Sequence, residues 1–239
     1  MVINMKEKFK SSLICFIALI LLFGAFTLAV MKIDVQPYTP AGATGGESAE
    51  IGFSHLNFRI FELNGGEYRE IYYKIADYLG CFAIAIGLGF AFVGLRQLIK
   101  RKSFFKVDLD IYALGIMYLT MLACYIFFAI FIVHFRPVMI DGELEASFPS
   151  SHTVMTVFVM MSAISQLDCR LKNRKLFKIC AAILVISAVA TVAARLISGA
   201  HWLTDIIGGL IISAALVALY NMLVYGFNYL YEKRHNGKS

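Results

Sequence analysis

Six stretches of roughly 20 consecutive apolar residues, each long enough to cross about 30 Å of hydrocarbon at 1.5 Å per helical residue, recur along the chain. They lie near 12–31, 75–98, 110–135, 151–168, 177–197 and 202–228. All six are helical by length. With 59% hydrophobic and 16% charged residues the chain is too apolar and too poor in charge for an ordinary soluble domain. The expected fold is all-α, a six-span transmembrane helical bundle forming a single domain over residues 1–239. The only long connection is 34–74, and no internal repeat or low-complexity tract interrupts the pattern. The opening "MKEKFKSSLICFIALILLFGAF" has the basic flank of a secretory signal. Its apolar run is longer than a typical signal core, and no small-residue cleavage site follows, so it reads as a signal anchor.

Orientation follows from the Lys and Arg content of the loops, because cytoplasmic loops retain positive charge. With the N-terminus inside, 16 of the 22 cations fall on the cytoplasmic side, in the sets Lys6 to Lys10, Arg96 to Lys106, Arg170 to Lys178 and Lys233, Arg234 and Lys238. Six fall outside: Lys32, Arg59, Arg69, Lys74, Arg136 and Arg195. Both termini are therefore expected in the cytoplasm. The net charge of +6 is mostly this topological signal, not a nucleic-acid footprint. Of the five cysteines, Cys15, Cys81, Cys124 and Cys180 fall within spans and Cys169 in a cytoplasmic loop, so neither a disulfide nor a metal-ligand spacing is expected.

Polar residues gather at the outer ends of the later spans. The segment "HFRPVMIDGELEASFPSSHT" (134–153) joins the third and fourth, and "ARLISGAHWLTDIIGG" (194–209) contains the turn between the fifth and sixth. Arg136, Ser150, Ser151, His152, Arg195, His201 and Asp205 share one surface as a result. His201 and Asp205 are one helical turn apart, so the carboxylate can hold one imidazole nitrogen and leave the other a better nucleophile. A tight Ser-Gly-Ala connection brings Arg195 close, and a positive charge beside a nucleophile suits an anionic substrate. Pro149 stops any preceding helix, and Ser150 or Ser151 is a natural N-cap. The helix starting there aims free N–H groups and a positive dipole end outward, which is a cradle for phosphate. His152 in that first turn can donate a proton to a leaving oxygen.

The ordered pattern of Arg-Pro, Pro-Ser-x-His and Arg-x5-His-x3-Asp resembles that of the type 2 phosphatidic acid phosphatase superfamily of integral membrane lipid phosphatases. The resemblance covers residues 129–205, and the six-span layout agrees with it. It implies a metal-independent phosphohydrolase with no cofactor. In that scheme His201 forms a phosphohistidine, Asp205 orients it and His152 protonates the leaving group. Arg136, Arg195, Ser150 and the N–H of Ser151 hold the phosphoryl oxygens. The family's first motif is Lys-x6-Arg-Pro, and Ala129 stands at the lysine position. Either His134 or Lys32 substitutes, or the site relies on two arginines, or activity is reduced. Ser151 replaces the usual glycine, which keeps the N–H, and Ala194 replaces a serine, which removes a supporting hydroxyl.

Taken singly, each of these residues has a plainer reading: the arginines as snorkelling interface residues, the serines as caps, the histidines as hydrogen-bonded structural groups and Asp205 as a helix-start acid. Their order on one face favours the joint reading. Trp202 and the tyrosines at 72, 73, 230 and 231 read as headgroup-level anchors. Within 34–74, Ile60, Phe61 and Leu63 suggest a short interfacial helix, and the segment is either a lid over the site or a passive connector. Asp141, Glu143 and Glu145 alternate, which fits an extended loop more than a metal cage; they could repel a second anionic group or contact a cationic headgroup. His55 has no evident partner, and Asp77 reads as interfacial.

The combined expectation is a phosphatase of the plasma membrane with its site on the outer face, acting on a membrane lipid phosphate. Candidate substrates are polyprenyl diphosphate or monophosphate, phosphatidic acid and phosphatidylglycerophosphate. No obligate protein partner and no nucleic acid are implied. The first rival is a lipid phosphotransferase, since related transferases also lack the first-motif lysine. The second is a channel or transporter, against which no span carries a mid-membrane charge pair or a broken-helix repeat.

Overall fold

The computed structural model describes residues 5–236 apart from 44, 45 and 47. Lys238, counted with the cytoplasmic cations, lies outside the described residues. Among the described residues seven α-helices account for most of the length: α1 (Met5–Lys32), α2 (Ser54–Leu63), α3 (Glu70–Arg101), α4 (Leu109–Ile130), α5 (Ser151–Arg170), α6 (Arg174–Ile197) and α7 (Leu203–Asn236). Two three-residue strands, β1 (Gln36–Tyr38) and β2 (Ala49–Ile51), pair antiparallel within the long connection, a small departure from an all-helical fold.

Among the described residues five helices, α1, α3, α4, α6 and α7, are long and apolar enough to cross a membrane. Their outward positions carry large exposed apolar side chains such as Leu21, Leu28, Leu88, Phe92, Leu119 and Ile186, a surface that suits lipid rather than water. α5 is long enough but not apolar enough to join them. It packs against α3, α4, α6 and α7 and buries Thr153, Thr156, Ser162 and Gln166. A helix enclosed by its neighbours has no need of an apolar exterior. The core around it includes Phe90, Leu114, Met117, Phe158, Met160, Leu216 and Tyr220, while α1 lies along α7.

The expected third span, 110–135, ends early: α4 stops at Ile130. Residues 131–150 form an irregular hairpin instead. Phe135 bridges Ala146 antiparallel, the Ser147 N–H donates to the His134 carbonyl, and Asp141 and Gly142 turn the chain at positive φ. Its two arms therefore place His134 and Ser147 opposite one another. The 34–74 segment docks on this end of the bundle. The Tyr38 hydroxyl donates to the carbonyls of Phe135 and Arg136 at 2.9 and 2.8 Å, and Asn57 exchanges hydrogen bonds with Thr204 at the start of α7. Trp202 is not a headgroup-level anchor: it is buried under Tyr38, Phe58 and Phe61, and its indole N–H donates to the Phe135 carbonyl. In α2 the Phe61 ring turns into this cluster, while Leu63 remains exposed.

Candidate active site

Asp205, wholly buried on the first turn of α7, is the hub. Its carboxylate receives a short contact from His134 Nε2 and another from the Ser147 hydroxyl, and it accepts from the Trp202 N–H at 2.9 Å. That last bond is the return half of a capping box, an acid at the third helical position holding the N–H of the cap residue. One side chain thus starts α7 and serves the site. His201 Nδ1 lies 3.3 Å from Asp205 Oδ2 and 3.1 Å from the Ser147 hydroxyl. A nitrogen between those acceptors carries the proton, so Nε2 keeps its lone pair. His201 is buried and its Nε2 has no hydrogen-bond partner. Burial pushes the imidazole down to about 4, outweighing the opposing pull of Asp205, with the Arg136 and Arg195 charges acting in the same direction as burial. The ring is therefore neutral near pH 7.

The turn that carries His201 depends on Gly199, whose φ of +68° is open to glycine and whose Cβ would run into the Glu67 carbonyl. Ser198 closes the end of α6 by donating to the Arg195 carbonyl at 2.8 Å. The compact turn sets Arg195, at the last turn of α6, beside the α7 start.

Arg195 is wholly buried. Its Nη2 donates to Asp77 Oδ1 at 2.7 Å, its guanidinium lies 4.2 Å from the Tyr73 ring centre, and its Nε and Nη1 have no partner. The Arg136 guanidinium lies 5.9 Å from the same ring centre: Nη1 donates to the Tyr73 hydroxyl at 3.5 Å, Nη2 pairs with Glu145 at 2.8 Å, and Nε has no partner among the described residues. Two arginines thus share Tyr73, each with donors to spare. His152 Nε2 lies 3.1 Å from Asp77 Oδ1, within electrostatic reach of Arg195, His201 and Arg136.

Ser150 is the cap residue of α5, but no side chain caps that first turn. Its N–H donates to the Asp205 carbonyl and its hydroxyl accepts from Thr153. A cavity of about 630 Å³ opens against this end. Arg136, Glu145, Ser147, Ser151, His152 and His201 form its polar part. Its apolar wall comes from Ile84, Met121, Leu122, Phe128, Ala129 and Ile212, among others.

Of the seven residues singled out in the sequence, Arg136, Ser151, His152 and His201 line this cavity, and Asp205, Arg195 and Ser150 stand behind it. Neither proposed replacement for the missing lysine occupies its role. His134 is engaged with Asp205, and Lys32 is exposed at the end of α1. Tyr73 is not a belt anchor, Asp77 is not merely interfacial, and His55 has a partner, its Nδ1 lying 2.9 Å from Asp34. Asp141 turns a hairpin and Glu145 pairs with Arg136; among the described residues no group of three or more His, Cys, Asp or Glu could hold a metal. Ser147 carries no signal in the sequence, because a serine two residues before the Pro-Ser-x-His stretch acquires a partner only when the hairpin folds it back onto α7.

A buried histidine held by an aspartate, beside two arginines and an uncapped helix start at one end of a multi-span bundle, defines a class of membrane protein built to receive a phosphate-like anion. Residues 130–229 match the model of the PAP2 superfamily, the superfamily whose motifs the sequence resembles. The crystal structure of the first transmembrane PAP2 type phosphatidylglycerolphosphate phosphatase, from Bacillus subtilis, shares the fold. The two align with a TM-score of 0.55 at 19% identity over 90% of this chain and 96% of that one. No curated protein matches the chain.

Proposed function

We propose that the protein is a metal-independent lipid phosphate phosphohydrolase that works through a phosphohistidine on His201. The observation that carries this reading is the neutral, buried His201 at the cavity wall, with Nδ1 held between Asp205 and Ser147 and Nε2 unpartnered. In the first step Nε2 forms a bond to phosphorus as the bond to the leaving oxygen breaks, and His152 transfers its proton to that oxygen. In the second, water attacks the phosphohistidine, His152 takes the water's proton and inorganic phosphate departs. Arg136, Arg195, Ser150 and the N–H of Ser151 meet the charge that spreads over the phosphoryl oxygens.

The match of residues 130–229 to a lipid phosphatase superfamily and the mixed cavity support a substrate whose phosphate sits at the polar end while its tail runs along the apolar wall. Ala129, where the family has lysine, belongs to that wall. In this reading α5 is the sixth span, both termini are cytoplasmic and the site faces outward. Candidates are polyprenyl diphosphate or phosphate, phosphatidic acid and, as for the B. subtilis neighbour, phosphatidylglycerophosphate. An outward site favours the polyprenyl carrier, which is released there.

The test is phosphate release from those four lipids by detergent-purified protein in EDTA, beside His201→Ala. The expected result is release by the wild type and a loss of at least about 10³-fold in the variant. Equal release by both proteins, or dependence on added metal, overturns the reading. Release that requires a second lipid hydroxyl identifies a phosphotransferase.

A further inference from the structure

We infer that α3, which lies outside the segment matching the superfamily model, supplies the seat of the proton donor: Asp77 is the positioning residue that holds His152 in its protonated form, with Gly80 one turn later giving the ring its space. The inference rests on the role proposed for His152.

Charge is the first constraint. An imidazolium at residue 152 must exist among Arg136 from the α4–α5 hairpin, Arg195 from α6 and His201 from the α6–α7 turn, all of which act on it electrostatically. Two fixed positive charges disfavour a third nearby. Among the described residues the one carboxylate paired with His152 is Asp77, from α3. A single oxygen, Oδ1, meets both His152 Nε2 at 3.1 Å and Arg195 Nη2 at 2.7 Å. Asp77 therefore ties the donor of the proton to a holder of the phosphate and fixes the distance between them.

Shape supports the same assignment. A Cβ at residue 80 would lie 3.1 Å from His152 Cδ2 and 3.2 Å from Met155 Cε, tighter than side chains ordinarily sit. Asp77 and Gly80 are three residues apart on one face of α3, so the helix offers a carboxylate to the imidazole Nε2 and a gap to the adjoining Cδ2. Asp77 is only partly buried, its side chain 40% exposed, which leaves room for the leaving oxygen to arrive. In the first step the Nε2 proton passes from its contact with Asp77 to that oxygen. After water attacks the phosphohistidine, the proton returns to Nε2 and Asp77 takes up the contact again. Asp77 itself neither gains nor loses a proton.

The experiment compares Asp77→Asn, Gly80→Val, His152→Ala and the Asp77→Asn/His152→Ala double variant on a lipid phosphate and on p-nitrophenyl phosphate. An alkyl leaving oxygen needs the donated proton, whereas p-nitrophenolate departs without it. Asp77→Asn should lower kcat on the lipid by about 100-fold, the lower end of general-acid effects, and on the aryl ester by about tenfold or less through Arg195. Its alkaline limb should move to lower pH. Gly80→Val, which leaves the Asp77–Arg195 contact in place, should show the same leaving-group dependence, and the double variant should be no slower than His152→Ala. Equal losses on both esters in Asp77→Asn and Gly80→Val, while His152→Ala still discriminates between them, overturn the inference. A His152→Ala variant that does not discriminate overturns the role assigned to His152 instead.

Discussion

At the end of the bundle opposite the site, Arg170 donates two hydrogen bonds to the Asp110 carboxylate, at 2.7 and 3.2 Å, and a third to the Gln166 carbonyl. Gln166 in turn donates to the Tyr220 hydroxyl. At the site end Arg195, more deeply buried, makes one such bond, and Arg136 leaves its Nε unused. Both ends place arginines among helices, yet one arginine is matched to its carboxylate in fork geometry and the others keep donors in reserve. A buried donor without a partner costs about 1–3 kcal/mol, and the several gathered on Arg195 and Arg136 are what the proposed phosphate site requires. The paired end shows what the same residues look like when their task is to join α4, α5 and α7.

The largest expected contrast is catalytic. Arg195→Ala and Arg136→Ala should each lower kcat/KM by about 10²–10³-fold, the usual effect of removing one donor to a developing oxyanion. Arg195→Lys should recover only part of it, because an ammonium lacks the planar fork. At the opposite end, Arg170→Ala should lower stability by about 1–2 kcal/mol, discounted for the fifth of that pair that meets solvent. Its thermal midpoint in detergent should fall while kcat per folded molecule is unchanged. Loss of turnover in Arg170→Ala at full folding breaks the comparison.

A smaller effect separates the ends by pH. His201 titrates near 4 in the folded protein against an ordinary 6.5. Between those values the unfolded chain binds the extra proton and the folded chain does not, so the stability contributed by keeping the ring neutral is complete above about 6.5 and is lost as pH falls toward 4. The thermal midpoint should decline over that window, and His201→Gln should remove that part of the decline. The pair at the opposite end, Arg170 with Asp110, contains no histidine.

Much of the site was readable in the sequence because it depends on short spacings. His201 and Asp205 one turn apart, the Ser-Gly-Ala turn and the Pro-Ser cap each fix local geometry, and the structure places them as the spacing requires. What remained unread depends on distant approach. Ser147 and His134 reach Asp205 only because α4 ends at Ile130 and the chain doubles back. Asp77 and Tyr73 reach the arginines only through packing of α3 on α5 and α6. Trp202 was assigned to the membrane surface because nothing local reveals that the 34–74 segment folds over it. The span count shows the reverse problem: α5 reads as a span by length, yet its buried hydroxyls and Gln166 lower its apolarity, a mark of an interior helix that a run of residues cannot distinguish from a weak one.

The smallest effect concerns Glu145, which occupies the outer nitrogen of Arg136 at 2.8 Å from a half-exposed position at the cavity edge. A phosphate oxygen that claims this nitrogen must displace a carboxylate competing for the same donor. Exposed pairs of this kind are worth about 0.2–1 kcal/mol, so removing the competitor should improve ground-state binding by that amount and no more. Glu145→Gln is therefore expected to lower KM by about two- to fivefold with little change in kcat. The gain should be larger for a lipid diphosphate than for a monophosphate, because the second phosphate brings further negative charge toward the same carboxylate. A fall in kcat with KM unchanged shows that Glu145 is holding Arg136 in place for the transition state. In that case the site end, like the opposite end, uses its ion pair for structure, and the distinction between them narrows to the unpartnered nitrogens of Arg195.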